Sequence, residues 1–373
     1  MILRRVPLAL TGLSAAALTL AACGGSTATD SGSPSPTDAE LTIVATTSIL
    51  GDVTSDIATC AGGSVTTLMP IGTDPHDFAP SSAQVAQMVT ANAIVANGLG
   101  LEEGLLNALA TAQADGVMVI EVADLVDPIK FGAGGHGHDD DHGHDDDHGH
   151  DDDHGHDDDH GHDDDHGHDD DHGHDDDHGH DDDHGHDDDK DDHDHKHGDL
   201  DPHFWFDMNR MADAAVIIGD DLATIGGAAY AECGQQVADT IRAAESEVSE
   251  ILASVPQSKR VLVTDHEAFG YLADTYDFEI AGVVIPGGST LAEPSSAQLR
   301  ELVEVIRDEQ VPAIFANVGQ SSTLADAIAA EAGTNVEVVA LYVESLGAPG
   351  SGADTYIGMM LTNARLIAEA LRN

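Results

Sequence analysis

The chain has 373 residues and a formal net charge of −57, with 13 basic side chains against 70 acidic ones. Such a field repels polynucleotides and anionic lipid and suits cations, which excludes a nucleic-acid partner. Once low-complexity and leader segments are set aside, about 270 residues remain, enough for one large core or two ordinary lobes.

The first element is a leader. MILRRVPLALTGLSAAA places Arg4 and Arg5 before an apolar run of signal-peptide length, too short for a spanning helix. Leu20-Ala21-Ala22-Cys23 resembles the bacterial lipobox, which implies cleavage of residues 1–22 and a lipid on the Cys23 thiol. Residues 23–39, GlyGlySer-rich with interspersed prolines, read as a flexible tether.

From Glu40 strands and helices alternate: LTIVATTS, then helical ILGDVTSDIATC; SVTTLMPI, then helical PSSAQVAQMVTAN; AIVANG, then helical LEEGLLNALATAQ; then VMVIEVA. Residues 132–199 interrupt this order. The unit HGHDDD runs nine times from His136, and the stretch to Asp199 holds 31 Asp and two Lys. Without core-forming residues and at this charge, the composition implies a disordered loop that as a coil spans roughly 45 Å. His-rich tracts bind metal weakly at many sites, so His136, His138, His142, His144, His193, His195 and His197 are candidates for accessory metal capture.

Order resumes at DPHFWFD. Helical regions follow over 208–228 and 230–253, then strand KRVLVTDH, helix EAFGYLADTYD, strand FEIAGVVIP, a helix over 295–308, strand PAIFAN, helix LADAIAAEAG, strand VEVVALY and a last helix over 355–372. The pattern predicts an α/β protein of two similar lobes with mostly parallel sheets flanked by helices, joined by one long helix. The expected division is 40–131 plus 200–208 for the N-terminal lobe, 209–228 for the linking helix and 229–373 for the C-terminal lobe. Cys60 and Cys233 are free to pair in an oxidising exterior; sequence alone leaves their pairing open.

Outside the tract only three of the 24 histidines remain, His76, His203 and His266. Each follows an Asp or Asp-Pro (GTDPHDFAP, DLDPHFWFD, VTDHEAFGYL) at a strand end or helix entry, where ligands gather in open parallel sheets. Three neutral imidazoles are a Zn²⁺ donor set with one position left. Glu344, after the last strand, is the candidate to close it; Asp77, Asp265 and Glu267 compete, either as ligands or as acceptors that fix the imidazole tautomers.

GTDPHDFAP, DPHFWFD, TDHEAFGYLA, the EPS of LAEPSSAQL and ADTYIGMMLTN, in this order, resemble the metal-binding lipoproteins of bacterial ABC importers for zinc and manganese. The resemblance spans nearly the whole chain from Leu41. It implies two pseudo-symmetric lobes on one rigid helix, with His76, His203 and His266 as the first three ligands. The fourth position, usually Asp, is Glu344 here, a departure. Manganese members tend to carry Glu at the third position, where this chain has His266. That residue and the donor chemistry both point to zinc, with manganese as the alternative. The implied partner is a membrane permease, reached by a monomer that touches the membrane on its extracytoplasmic face through its lipid alone. An extracellular zinc buffer or adhesin is a further reading. An enzyme is not expected: three His and a water can form a catalytic site, but no HExxH motif is present.

Overall fold

A computed structural model describes residues 41–132, 200–333 and 335–372. The leader over 1–22, Cys23, the tether over 23–39 and the tract histidines, His136, His138, His142, His144, His193, His195 and His197 among them, lie outside the described residues.

Two four-stranded sheets carry the architecture. In the first half β1 (Thr42–Ala45), β2 (Ser64–Thr67), β3 (Ala93–Ala96) and β4 (Met118–Glu121) pair in the order β2-β1-β3-β4, all parallel. In the second half β5 (Val261–Thr264), β6 (Glu279–Val283), β7 (Ala313–Asn317) and β8 (Glu337–Leu341) repeat this order as β6-β5-β7-β8, again parallel. Parallel strands need crossovers, and helices supply them: α1 (Ser48–Ala61), α2 (Ser82–Thr90) and α3 (Leu106–Ala114) in the first half, α6 (Gly270–Tyr276), α7 (Ser296–Asp308) and α8 (Thr323–Ala332) in the second. Between the halves run α4 (Met208–Gly226) and α5 (Ala229–Ala253), and α9 (Tyr356–Arg372) ends the chain.

The duplication is visible in residues. PSSAQ occurs at Pro80–Gln84 and again at Pro294–Gln298. In both copies it starts the helix after the second strand, with the first Ser and the Gln forming a reciprocal capping box. Such boxes satisfy two orphan N–H groups and fix where the helix begins.

Alternation along the strands divides the core. Ile43, Val95, Leu262 and Phe315 face a central cluster shared by both halves. Their neighbours Val44, Ile94, Val263 and Ile314 face separate outer clusters under α2 and α3 or α7 and α8. Helix α5 packs against both α1 and α9. Its approach to α4 depends on glycine: a Cβ on Gly219 would lie 2.8 Å from the Gly234 Cα, and one on Gly234 would lie 2.6 Å from the Ala215 carbonyl oxygen. Cys60 on α1 and Cys233 on α5 form a disulfide with a Cα–Cα distance of 5.8 Å. The long shared core and this staple tie the described residues of both halves into one compact unit.

Local differences from the sequence reading have simple causes. The helix expected to reach residue 228 stops at Gly226, because Gly227 at φ 92° leaves the right-handed region. Expected strands run past the observed ladders: β2 ends at Thr67, although the N–H groups of Leu68 and Met69 still bond the Ala45 and Thr46 carbonyls. The two edges of the tract meet. Lys130 and Leu200 form an antiparallel bridge, Asp201 N–H donates to the Ile129 carbonyl (2.9 Å), and the Tyr271 hydroxyl joins both by donating to the Asp201 carbonyl (2.8 Å) and accepting from Ile129 N–H (3.2 Å). No helix among the described residues is long and apolar enough to cross a membrane.

Candidate metal centre

Four segments converge between the halves, three of them at the carboxyl ends of strands. His76 comes from the loop after β2, His203 from the segment entering α4, His266 from the residues after β5, and Glu344 from the turn after β8. One potential donor atom from each lies within 4.8 Å of the other three, and all four residues are buried.

Among the described residues, no well-formed hydrogen bond caps the donor atoms that converge. Glu344 Oε1 lies 3.0 Å from His76 Nε2 and 3.2 Å from His266 Nε2, within ion-pair reach when an imidazole is protonated, but neither contact is a well-formed hydrogen bond. The Nε2 atoms of His76, His203 and His266 and Oε1 of Glu344 therefore point at shared space as buried, unpartnered polar atoms. Orphaned buried polar groups are costly, and three imidazole nitrogens with one carboxylate oxygen fit a tetrahedral divalent cation.

The other ends of three of these side chains are fixed. Asp201 Oδ1 faces His203 Nδ1 at 2.7 Å and accepts its backbone N–H at 2.9 Å. Asp265 Oδ1 faces His266 Nδ1 at 3.1 Å, while its Oδ2 accepts the Asn317 N–H. Asn317 Nδ2 donates to Glu344 Oε2 at 2.9 Å, leaving Oε1 free for the centre. These partners set tautomer and ring direction. His76 Nδ1 has no such partner. Trp205 packs edge-on to His203, and its indole N–H donates to the Val343 carbonyl beside Glu344, tying the segments of two ligands together.

Of the residues competing with Glu344, none joins the cluster. Asp77 is exposed, Asp265 orients His266, and Glu267 accepts the Gly287 N–H at 3.2 Å. Sequence reading missed Asp201, Asn317 and Glu102. Asp201 carried a signal as the Asp of the second Asp-Pro-His, and Asn317 as a polar residue closing an apolar strand. Buried Glu102 accepts from Thr46, Asn97 and Gly98, and Asn97 in turn holds the Pro202 carbonyl at 3.0 Å. Nothing in LEEGLL marks it out.

Charges follow from this packing. Burial dominates at His203 and lowers its pKa, with Asp201 opposing. At His266 burial alone would lower the pKa, but Asp265 and Glu344 together outweigh it and push the imidazole up to about 10. Burial opposes ionisation of Glu344, and the imidazoles of His266 and His76 overcome it, holding the carboxyl far below its ordinary range. Without metal, His266 is expected to carry a proton at neutral pH, which a cation would displace. Below pH 10, affinity is expected to rise with pH, and binding at pH 7.5 to release about one proton. Calorimetry in buffers of different ionisation enthalpy measures this; a binding enthalpy independent of buffer contradicts it. Replacing Asp201 by Ala is expected to weaken metal binding by roughly 10–100-fold without unfolding the protein. Chelator competition checks it, and unchanged affinity would show that the Nδ1 contact is idle.

Comparison with known proteins places this geometry. The family model described as zinc-uptake complex component A, periplasmic, matches residues 43–370. The manganese-binding lipoprotein MntA of Halalkalibacterium halodurans is 24% identical over 358 residues, covering 95% of each chain. The zinc-binding protein TroA of Treponema pallidum is 30% identical over 184 residues, 47% of this chain and 59% of that one. The solved structure of periplasmic zinc-binding TroA superposes with a TM-score of 0.67 at 21% identity, covering 90% of this chain and all of that one. A manganese-bound periplasmic metal-binding protein from Candidatus Liberibacter asiaticus gives 0.63 at 20% identity, covering 89% of this chain and all of that one. With nearly every described residue inside the match, the chain belongs to the zinc-uptake complex component A family, the extracytoplasmic metal-binding receptors of ABC transporters, which are substrate-binding proteins and not enzymes.

Proposed function

We propose that this chain is the zinc receptor of an ABC importer. It captures Zn²⁺ with His76, His203, His266 and Glu344 and delivers it to a membrane permease. One observation carries the reading: three imidazole Nε2 atoms and one carboxylate oxygen converge, buried and unpaired. Three nitrogen donors suit Zn²⁺, whereas Mn²⁺ prefers carboxylate and water oxygens. Residues 40–131 with 200–208 and residues 229–373 act as the two lobes, with 209–228 as the linking helix and α5 sharing its bridging role through contacts on both sides. The mature protein is a monomer held to the extracytoplasmic face of the membrane by lipid on Cys23. The HGHDDD tract, with His136, His138, His142, His144, His193, His195 and His197, gathers zinc loosely near the centre. Its histidine contribution fades below about pH 6.5 as imidazoles protonate.

Manganese is the second reading, favoured by relatives named as manganese-binding across almost their full length. Affinity order alone does not choose, because zinc binds most N/O sites more tightly than manganese, and metal supply decides in vivo. Deleting the gene is therefore the test. Growth is expected to fail in zinc-limited medium and to be restored by added zinc but not by manganese. Rescue by manganese alone would reassign the cargo. Unimpaired growth would leave a zinc buffer or adhesin without transport coupling.

A further inference from the structure

The two Asp-Pro-His segments are the same motif put to different uses. In the second, Asp201 bonds both the backbone and the ring of His203. In the first, Asp74 Oδ1 accepts the His76 N–H at 2.9 Å but does not reach the ring. Its Oδ2 instead crosses to the other half, accepting from the Thr290 hydroxyl at 2.6 Å and from the Gln320 side-chain amide. Thr290 lies in the loop after β6 and Gln320 in the loop after β7. In the repeat, Thr290 is the counterpart of His76: it stands four residues before Pro294 of the second PSSAQ, as His76 stands four before Pro80 of the first.

We infer that Asp74, Thr290 and Gln320 form a latch that holds the His76 loop against the second half and sets how fast the bound metal leaves. This rests on the proposed metal centre. His76 is the ligand that needs it, because its Nδ1 has no orienting partner. Its backbone is held by the turn at Asp74, and that same carboxylate is tied to the second half, beside a further link from Gly72 N–H to the Ser345 hydroxyl (2.7 Å). Any opening that separates the His76 loop from the Thr290 and Gln320 loops must break these bonds. Thr290 and Gln320 are positioning residues; neither is among the converging donors.

The test loads the whole chain, tract included, with one equivalent of Zn²⁺ and mixes it with excess chromogenic chelator. The slow phase of release reports the centre. Bonds to a charged acceptor across a closed interface act mainly on the off-rate, so Thr290→Val with Gln320→Ala is expected to speed that phase about tenfold, with capture little changed. Thr290→Ser keeps the hydroxyl and should retain slow release, which a loss of packing alone would not predict. Gln320→Ala alone removes one exposed partner and should speed release severalfold, so the idea stays testable if the double variant folds poorly. A wild-type slow phase that the double and single variants leave unchanged overturns the latch alone. A wild-type chain with no slow phase overturns the metal centre and the latch together.

Discussion

His203→Ala is expected to lower zinc affinity by roughly 10²–10³-fold, since protein zinc sites draw about 10–16 kcal/mol from some four donors. His203 is fully enclosed, with Asp201 behind it, Trp205 against its ring, and His266 and His76 at centroid distances of 5.3 and 5.8 Å. Water can fill the vacated donor position, but it does not restore a pre-aimed nitrogen. Competition against a chelator of known affinity, on protein lacking the tract, measures the loss. A variant that still holds one tight equivalent would mean that zinc sits elsewhere. If the wild type without the tract binds no tight equivalent, the repeats are the principal zinc binder.

Removing the disulfide carries the second large effect. Cys60 and Cys233 are 173 residues apart in sequence, and their link constrains a long loop in the unfolded chain. Chain-entropy arguments give about 5 kcal/mol for such a loop, and measured disulfides more often contribute 2–4 kcal/mol. The metal-free Cys60→Ser, Cys233→Ser protein is expected to melt roughly 5–15 °C lower than the oxidised wild type. Its zinc affinity should barely move, because the staple joins α1 to α5 and not the ligand loops. Scanning calorimetry on both proteins decides it; a melting temperature that does not fall would show that packing of α5 on α1 suffices. An oxidised link of this kind belongs outside the cytoplasm, in keeping with an extracytoplasmic family.

The alternation of LTIVATTS, AIVANG, KRVLVTDH and PAIFAN with helical stretches was enough to read two parallel sheets, because strands buried on both faces are short apolar runs. The four converging donors were legible for a different reason. Once the tract is set aside, histidine is scarce, and all three remaining copies sit beside Asp at element boundaries. What stayed hidden depends on contacts between residues distant in sequence. Asn317 reaches Glu344 from another strand, Glu102 supports Pro202 through Asn97, and Asp74 bonds Thr290 across 216 positions. Even the repeat PSSAQ shows its meaning only when both copies are seen to open equivalent helices.

The bridge between Lys130 and Leu200 insulates the folded protein from the length of what it interrupts. Both edges of the insertion are pinned to one another and to Tyr271 before His203 is reached. Gain or loss of whole HGHDDD units is therefore expected to leave the converging donors in place. Doubling such a span adds only about 0.6 kcal/mol to the cost of closing it. Copy number is thus a nearly neutral dial for the fold: under the proposed function it sets how much loosely held metal the chain carries, while the converging donors keep their geometry.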